Sequence, residues 1–302
     1  MIYKTSYLKN FPLVPITSIM REKRLSASDL EDRYQSFKEE VKKSGKFNEK
    51  EHPDSLLHRF LRARKSDVSK ALTMFLDYVQ WRQDSQVDDI VQNFSFPEAA
   101  KVSEIYPRFY HKTDKLGRPV YFEVLGKMHV DALFSVTTPE RLIKGYIREY
   151  EKLLNYRFVA CGLKKGNVIE QGCSILDLKG VPLSQFNQVR KVVQQVSSVA
   201  QNYYPETLGK MFIINAPFLF KGIWQIIKPM LDDNTVAKIS VLGSNYESEL
   251  LELIDKSNLP TEYGGSCSCH GGCKQADIGP WNDKSVPGYP IPFYEDFKKR
   301  DV

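Results

Sequence analysis

The first clear hydrophobic period runs over residues 27–43, where Leu30, Tyr34, Phe37 and Val41 recur every three to four positions. That spacing puts them on one face of a helix, and Ser28 or Asp29 offers a cap near its start. Leu56, Leu57, Phe60 and Leu61 follow, ending in the basic knot Arg62-Ala-Arg64-Lys65. Ser66 and Asp67 offer caps for a further helix, in which Val68, Leu72, Phe75, Leu76 and Val79 form one apolar stripe. These pieces predict a small helical domain over residues 26–95.

From Tyr106 the pattern changes. Strands are predicted at 119–124, 174–178, 211–215 and 237–242. Helices are predicted at 139–156, 184–202 and 246–254; the first has Thr138 as its cap, Pro139 at its first position, and Leu142, Tyr146, Tyr150 and Leu153 on one face. Strands alternating with long helices indicate βαβ units, hence an α/β fold with a mostly parallel sheet. Beyond Gly264 the chain is rich in Gly, Pro and Cys and shows no period.

One predicted helix, over 218–231, breaks the amphipathic rule. Nine of its fourteen residues are large and apolar: Phe218, Leu219, Phe220, Ile223, Trp224, Ile226, Ile227, Met230 and Leu231. A helix apolar all round is either a central core element or meets something apolar besides the core.

Composition narrows the class. The 302 residues are 42% hydrophobic and 26% charged, as in ordinary globular proteins. Unbroken apolar runs reach only four residues, as at Phe158 to Cys161, against the ~20 that a membrane span needs. The net charge of +6 suits visits to anionic surfaces and is modest for a nucleic-acid binder. Five cysteines make no disulfide framework and fit a reducing compartment. Residues 1–25 hold no acidic residue before Glu22 and carry Pro12 and Pro15, which reads as a loose, variable tail.

Catalytic chemistry is hard to place. None of the five histidines sits in an HExxH pair, and the chain has no GxSxG, GxxxxGK[ST] or GxGxxG motif. Asp177, in Leu-Asp-Leu-Lys-Gly, reads as the cap of a following turn, and Glu206, after Pro205, as a first-turn helix residue. In Cys267-Ser-Cys269-His270-Gly-Gly-Cys273, three thiols and an imidazole could ligate zinc or form a redox disulfide. The spacing is tight for a common structural site, so inert cysteines and no metal are expected.

Several phrases together resemble one family: Leu57-His-Arg-Phe-Leu-Arg-Ala-Arg-Lys65, Tyr110-His-Lys-Thr-Asp-Lys-Leu-Gly-Arg-Pro-Val-Tyr-Phe122, Leu176-Asp-Leu-Lys-Gly180, Gln201-Asn-Tyr-Tyr-Pro-Glu206, Phe212-Ile-Ile-Asn-Ala-Pro217 and Asp277-Ile-Gly-Pro-Trp281. In this order they resemble the CRAL-TRIO lipid-binding family, of the fungal and plant phosphatidylinositol/phosphatidylcholine transfer protein type. The resemblance implies a variable tail (1–25), a helical N-terminal domain (26–95), a lipid-binding domain (96–266) whose sheet floors an apolar pocket, and a C-terminal tail (267–302). It also implies that the odd helix is the pocket's gate, with Phe218, Phe220, Ile223, Trp224, Ile227 and Met230 as its apolar residues.

Carried over position by position, the resemblance implies a phosphoinositol site of Arg64, Lys65, Glu206, Thr235 and Lys238. A phosphodiester suits guanidinium and ammonium groups, and an inositol ring suits carboxylate and hydroxyl partners. For phosphatidylcholine it implies Tyr110, Tyr121 and Ser174, with ring faces for the choline. The family has a hydroxyl where this chain has Gly172, so phosphatidylcholine is expected to bind more weakly. The implied activity is non-enzymatic and needs no cofactor: transfer of phosphatidylinositol in the cytoplasm, transiently at Golgi or other cytosolic membrane faces, supporting lipid kinases and secretion. No nucleic-acid partner is implied. A carrier of another hydrophobe, such as a sterol, and a metal or redox protein built on the cysteine cluster are the alternatives.

Overall fold

The computed structural model describes residues 25–181, 186–231 and 233–289, without the side chains of 186–190, 192, 193, 221 and 230. The expected N-terminal tail therefore lies almost wholly outside the described residues. Helix α1 spans Ala27–Lys43. Its cap is Ser26 rather than Ser28 or Asp29. Ser26 Oγ accepts from Asp29 N at 3.0 Å while the Asp29 carboxylate accepts from Ser26 N at 3.0 Å, closing a capping box. Helix α2 covers Asp54–Ala63, and α3 covers Val68–Asp84 with Asp67 as its cap. Their shared core holds Phe37, Leu57, Phe60 and Phe75, all fully buried, with the Phe60 and Phe75 rings edge to face at 5.6 Å. Three further helices, α4 (Val87–Asn93), α5 (Ala99–Ile105) and α6 (Val130–Val136), span only two turns each, too short for a period to reveal.

Among the described residues five strands form one sheet in the order β1-β2-β3-β4-β5. Strand β1 (Arg108–Thr113) pairs antiparallel with β2 (Pro119–Val124), Tyr110 opposite Tyr121. Strands β3 (Gly172–Asp177), β4 (Leu208–Ile214) and β5 (Ile239–Val241) continue the sheet in parallel. Strand β2 matches the sequence expectation; β3 and β4 begin two and three residues earlier than expected, and β5 is shorter. Strand β1 was not foreseen, because Arg-Phe-Tyr-His-Lys-Thr lacks a plain apolar alternation.

The helix expected over 139–156 does not stop there. Helix α7 (Pro139–Lys152), capped by Thr138, runs into a π-helical turn (Leu153–Arg157) and then α8 (Phe158–Lys165). The rod ends where Gly166 adopts a left-handed φ of 75°. Helix α9 is described over Phe186–Tyr203, so the expected start at 184 falls outside the described residues. The apolar segment is α10 (Phe220–Ile227) with a 3-10 turn (Lys228–Met230), shorter than the expected 218–231 because Pro229 interrupts the α-helical ladder. Helices α11 (Asp233–Ala237) and α12 (Glu247–Leu253) flank β5. Among the described residues no helix is long and apolar enough to cross a membrane.

The two faces of the sheet meet different neighbours. Val120, Phe122, Cys173, Ile175, Phe212 and Ile214 form a dry layer with Tyr246, Leu250, Ile254, Leu259 and Tyr263. The opposite face, under α7, α9 and α10, borders a hollow. The chain from Cys267, expected to be a tail, is packed into the body as far as it is described. Trp281 is fully buried, its indole donates to Asp277 Oδ1 at 3.0 Å, and the Tyr156 hydroxyl donates to its carbonyl.

His52 offers a test of the helical layer. Its ring lies edge-on to Phe75 at 4.9 Å and its Nδ1 accepts from Asn48 N at 3.0 Å. Burial, with the nearby Arg82 charge, pulls its pKa from 6.5 down to about 4. The unfolded chain therefore binds the extra proton between these values, and stability present above pH 6.5 falls as pH drops toward 4. Urea unfolding at pH 7 and pH 5 should differ by ~1–2 kcal/mol more in the wild type than in His52→Asn. Equal losses in both chains would remove His52 as the cause.

Candidate functional site

The hollow is a cavity of about 1000 Å³, at the upper end of ligand pockets, which run roughly 300–1,000 Å³. Strand alternation supplies its floor: Tyr110, Pro119, Tyr121, Glu123, Gly172, Ser174, Leu176, Met211 and Ile213 all face it. Helix α10 covers it with Phe220, Ile223, Trp224 and Ile227. On the other side of the same segment Phe218, Leu219 and Ile226 are 82%, 57% and 61% exposed. Phe218 thus points outward rather than lining the cavity, and the Met230 side chain lies outside the described residues. The helix is apolar on both sides because one covers the hollow and the other meets solvent.

Arg64, Glu206, Thr235 and Lys238 all line the cavity. Lys238 Nζ donates to Glu206 Oε2 at 3.1 Å, with both side chains about four-fifths covered. The tyrosines before Glu206 place it. Tyr203 stacks on Trp81 at 4.1 Å, Tyr204 stacks on Tyr150 at 4.7 Å, and the Tyr204 hydroxyl donates to Glu151 Oε1 at 2.8 Å. Glu206 then takes φ 59°, so it is a left-handed turn residue and not the first-turn helix residue expected from Pro205. At the end of α2, Lys65 and Ser66 also take positive φ, and the Arg33 guanidinium donates to Ser66 O at 2.8 Å. This turn leaves Arg64 on the cavity and Lys65 exposed, outside its lining. The structure therefore gathers four of the five expected headgroup residues and separates Lys65 from them.

The aromatic pair is present, with Tyr110 and Tyr121 ring centroids 5.0 Å apart. Sequence reading missed the cation beside it. The Arg157 guanidinium lies 3.9 Å from the Tyr110 centroid and donates to Glu149 Oε2 at 3.1 Å. Burial alone would raise the Glu149 carboxyl, but the charges of Arg157, Lys152 and Arg108 outweigh it and hold the pKa at about 2. Arg108 similarly sits 4.2 Å from the Tyr146 ring. The Tyr106 hydroxyl donates to Glu123 and lies 2.9 Å from that of Tyr146, while burial pushes the Glu123 carboxyl up. The signal was available in part: Glu149 and Arg157 fall on the helix face read as apolar through Tyr146, Tyr150 and Leu153, and charges on such a face must be paired.

Ser174 lines the floor next to a hydroxyl-free position at Gly172. A Cβ at Gly172 would meet nothing nearer than Pro119 O at 3.5 Å, so the glycine is not forced by packing. Asp177 caps the turn after β3, accepting from Lys179 N at 2.9 Å and from the Asn215 amide at 2.7 Å, and does not line the cavity.

Comparison with known proteins identifies the family and the fold. Residues 104–265 match the CRAL/TRIO domain, and residues 33–77 match the CRAL/TRIO N-terminal domain. The chain is 48% identical over 231 residues to the Sec14 cytosolic factor of Schizosaccharomyces pombe, covering 76% of this chain and 81% of that protein. It is 40% identical over 259 residues to the phosphatidylinositol/phosphatidylcholine transfer protein SFH11 of Arabidopsis thaliana, covering 85% of this chain and 69% of the relative. The crystal structure of Sfh5 superposes with a TM-score of 0.67 at 17% identity, covering 91% of this chain and 98% of that one, a likeness of fold.

Proposed function

The chain belongs to the CRAL/TRIO family, and on that premise we propose that it binds phosphatidylinositol and carries it between membranes, with phosphatidylcholine as a weaker ligand. The observation that carries the reading is the double-sided cover, α10, which lines an apolar cavity with Trp224 and Ile227 while exposing Phe218, Leu219 and Ile226. Withdrawing acyl chains into water costs ~0.8 kcal/mol per CH₂. A carrier must therefore give the chains an apolar hollow and close it behind them, and a gate apolar on both sides can meet the lipid when shut and the membrane when open.

In this reading Arg64 and Lys238 take the phosphodiester, and Glu206 and Thr235 take inositol hydroxyls. Binding would turn the Lys238–Glu206 pair from each other toward the lipid. Lys65 remains the outer charge of the set, drawing the anionic headgroup toward the mouth. This polar set favours a phospholipid over a sterol. Tyr110 and Tyr121 would hold choline, with Arg157 already occupying part of the Tyr110 ring and Ser174 offering a hydroxyl where Gly172 has none. The exposed apolar patch and the +6 charge suit transient contact with anionic cytosolic membrane faces, such as those of the Golgi, where the lipid could be passed to lipid kinases.

Three transfer measurements between labelled vesicles test this. Arg64→Ala with Lys238→Ala should reduce phosphatidylinositol transfer at least tenfold, since charged hydrogen bonds contribute ~1.5–3 kcal/mol each; Lys65→Ala alone should do much less. Undiminished transfer by the folded double variant would defeat the headgroup assignment.

Wild-type transfer should favour phosphatidylinositol over phosphatidylcholine by about 5–30-fold, and Gly172→Ser should narrow that gap by restoring a donor worth ~1–2 kcal/mol. Equal transfer of both lipids by the wild type, unchanged by the serine, contradicts the argument.

Ile226→Asp, on the exposed side of α10, should leave the unfolding midpoint unchanged yet slow exchange with anionic vesicles roughly tenfold, through lost apolar contact and added repulsion. An unaltered exchange rate would return α10 to a plain structural cover.

A further inference from the structure

The cysteines do not lie in the cavity. His111, Cys267, Cys269 and Cys273 each bring one ligand atom into a group lying within 4.8 Å of one another. His111 is the fourth residue of β1 and is fully buried; Cys267 and Cys273 are buried and Cys269 is half-buried. His111 Nε2 is 3.3 Å from Cys267 Sγ, and Cys267 Sγ is 3.6 Å from Cys269 Sγ. Cys267, Cys269 and Cys273 are free thiols.

These separations have the scale of a coordination shell. With Zn–S ~2.3 Å and Zn–N ~2.0–2.1 Å, the edges of a tetrahedral zinc site are about 3.5–3.8 Å. A disulfide needs sulfurs ~2.0 Å apart. The local backbone explains how a tight spacing can work. Gly271 and Gly272 take φ of 74° and 92°, and Gly272 N donates to Cys269 O at 2.9 Å. The turn folds Cys273 back beside the other two cysteines, a path that side chains with a Cβ rarely follow. The imidazole faces the sulfurs as well: its Nε2 meets Cys267, and among the described residues its buried Nδ1 has no hydrogen-bond partner.

We propose that His111, Cys267, Cys269 and Cys273 bind one zinc ion as a closed structural site. The three thiol protons pass to solvent, no group changes oxidation state, and three thiolates with a neutral imidazole leave the site at net −1. The Lys112 ammonium, which also interacts with Cys267, offsets that charge. Four protein ligands leave no open position for a substrate. The sequence expectation of no metal rested on the tight spacing of the local cluster; His270 in that cluster is exposed, and the imidazole beside the three thiols is His111 of β1.

The site has a structural task. Strand β1 is the sheet edge, and the segment after Leu259 runs alongside it, with Lys112 N donating to Ile278 O at 2.6 Å. An ion held by His111 and the three cysteines would rivet that segment to the edge strand. Tyr110, the residue before His111, faces the cavity, so the rivet would also hold one wall of the pocket. This inference does not rest on the lipid reading.

The test uses the full chain purified under reducing conditions without chelator. Elemental analysis should find one zinc per chain. After zinc removal, added cobalt should give the thiolate charge-transfer and intense visible bands of a tetrahedral site. Cys269→Ser, at the least buried ligand, should lose most of the zinc, and His270→Ala should keep it. If Cys269→Ser fails to fold, the cobalt spectrum of the wild type decides. A wild-type chain with neither zinc nor a tetrahedral cobalt spectrum overturns the proposal. So does a Cys267–Cys269 disulfide found by mass spectrometry, or zinc lost with His270→Ala and kept by Cys269→Ser.

Discussion

Side chains on a strand alternate between faces, and in this sheet the two faces have opposite duties. Phe122, Ile175 and Ile214 must fill a dry layer against α12, while Tyr121, Ser174 and Ile213 must leave a hollow open. The hollow is costly, because its lining forgoes the packing that a filled core supplies. It is tolerable because the dry layer on one side and the helical core around Phe60 and Phe75 on the other are packed without it. Everything else about the site follows from keeping that hollow apolar, closed and polar at chosen points.

The polar points are expensive in such a space, and several of them meet a partner across it. Arg157 is held by Glu149 and the Tyr110 ring, Arg108 by the rings of Tyr146 and Tyr106, and Lys238 by Glu206. Buried charges without partners would shift to their neutral forms or unfold the site. The π-helical turn at Leu153–Arg157 contributes here, because its extra residue changes the helix phase between Leu153 and Phe158. Tyr156 can then reach Trp281 while Arg157 reaches Tyr110.

An open sheet must also protect its edge. Strand β1 is protected by the last described stretch of chain, which adds no regular strand, meets β1 where Lys112 N donates to Ile278 O, and buries Cys267, Cys273 and Trp281. That stretch has no hydrophobic period of its own. Its order depends on what it touches: Tyr156, His111, the Lys112 backbone and, on the proposal above, a bound ion.

Much of the fold could be read from the chain, because helices and strands announce themselves through local spacing. Helix α1, helix α3 with Asp67 as one of its two candidate caps, strand β2 and the two-sided apolarity of α10 were all visible in the chain. The family phrases added the pocket and named side chains that do line it, Arg64, Tyr110, Tyr121 and Glu206 among them. What the chain could not show is which distant side chains share a space. His111 joins cysteines 156 positions further along, Arg157 lies on Tyr110 through a helix phase shift, and a left-handed turn turns Lys65 away from Arg64. Periodicity is a property of neighbours along the backbone and is encoded by a few successive residues. Proximity across elements depends on the sheet register, the helix phase and the path of an aperiodic tail, and these are decided only when the whole core is packed.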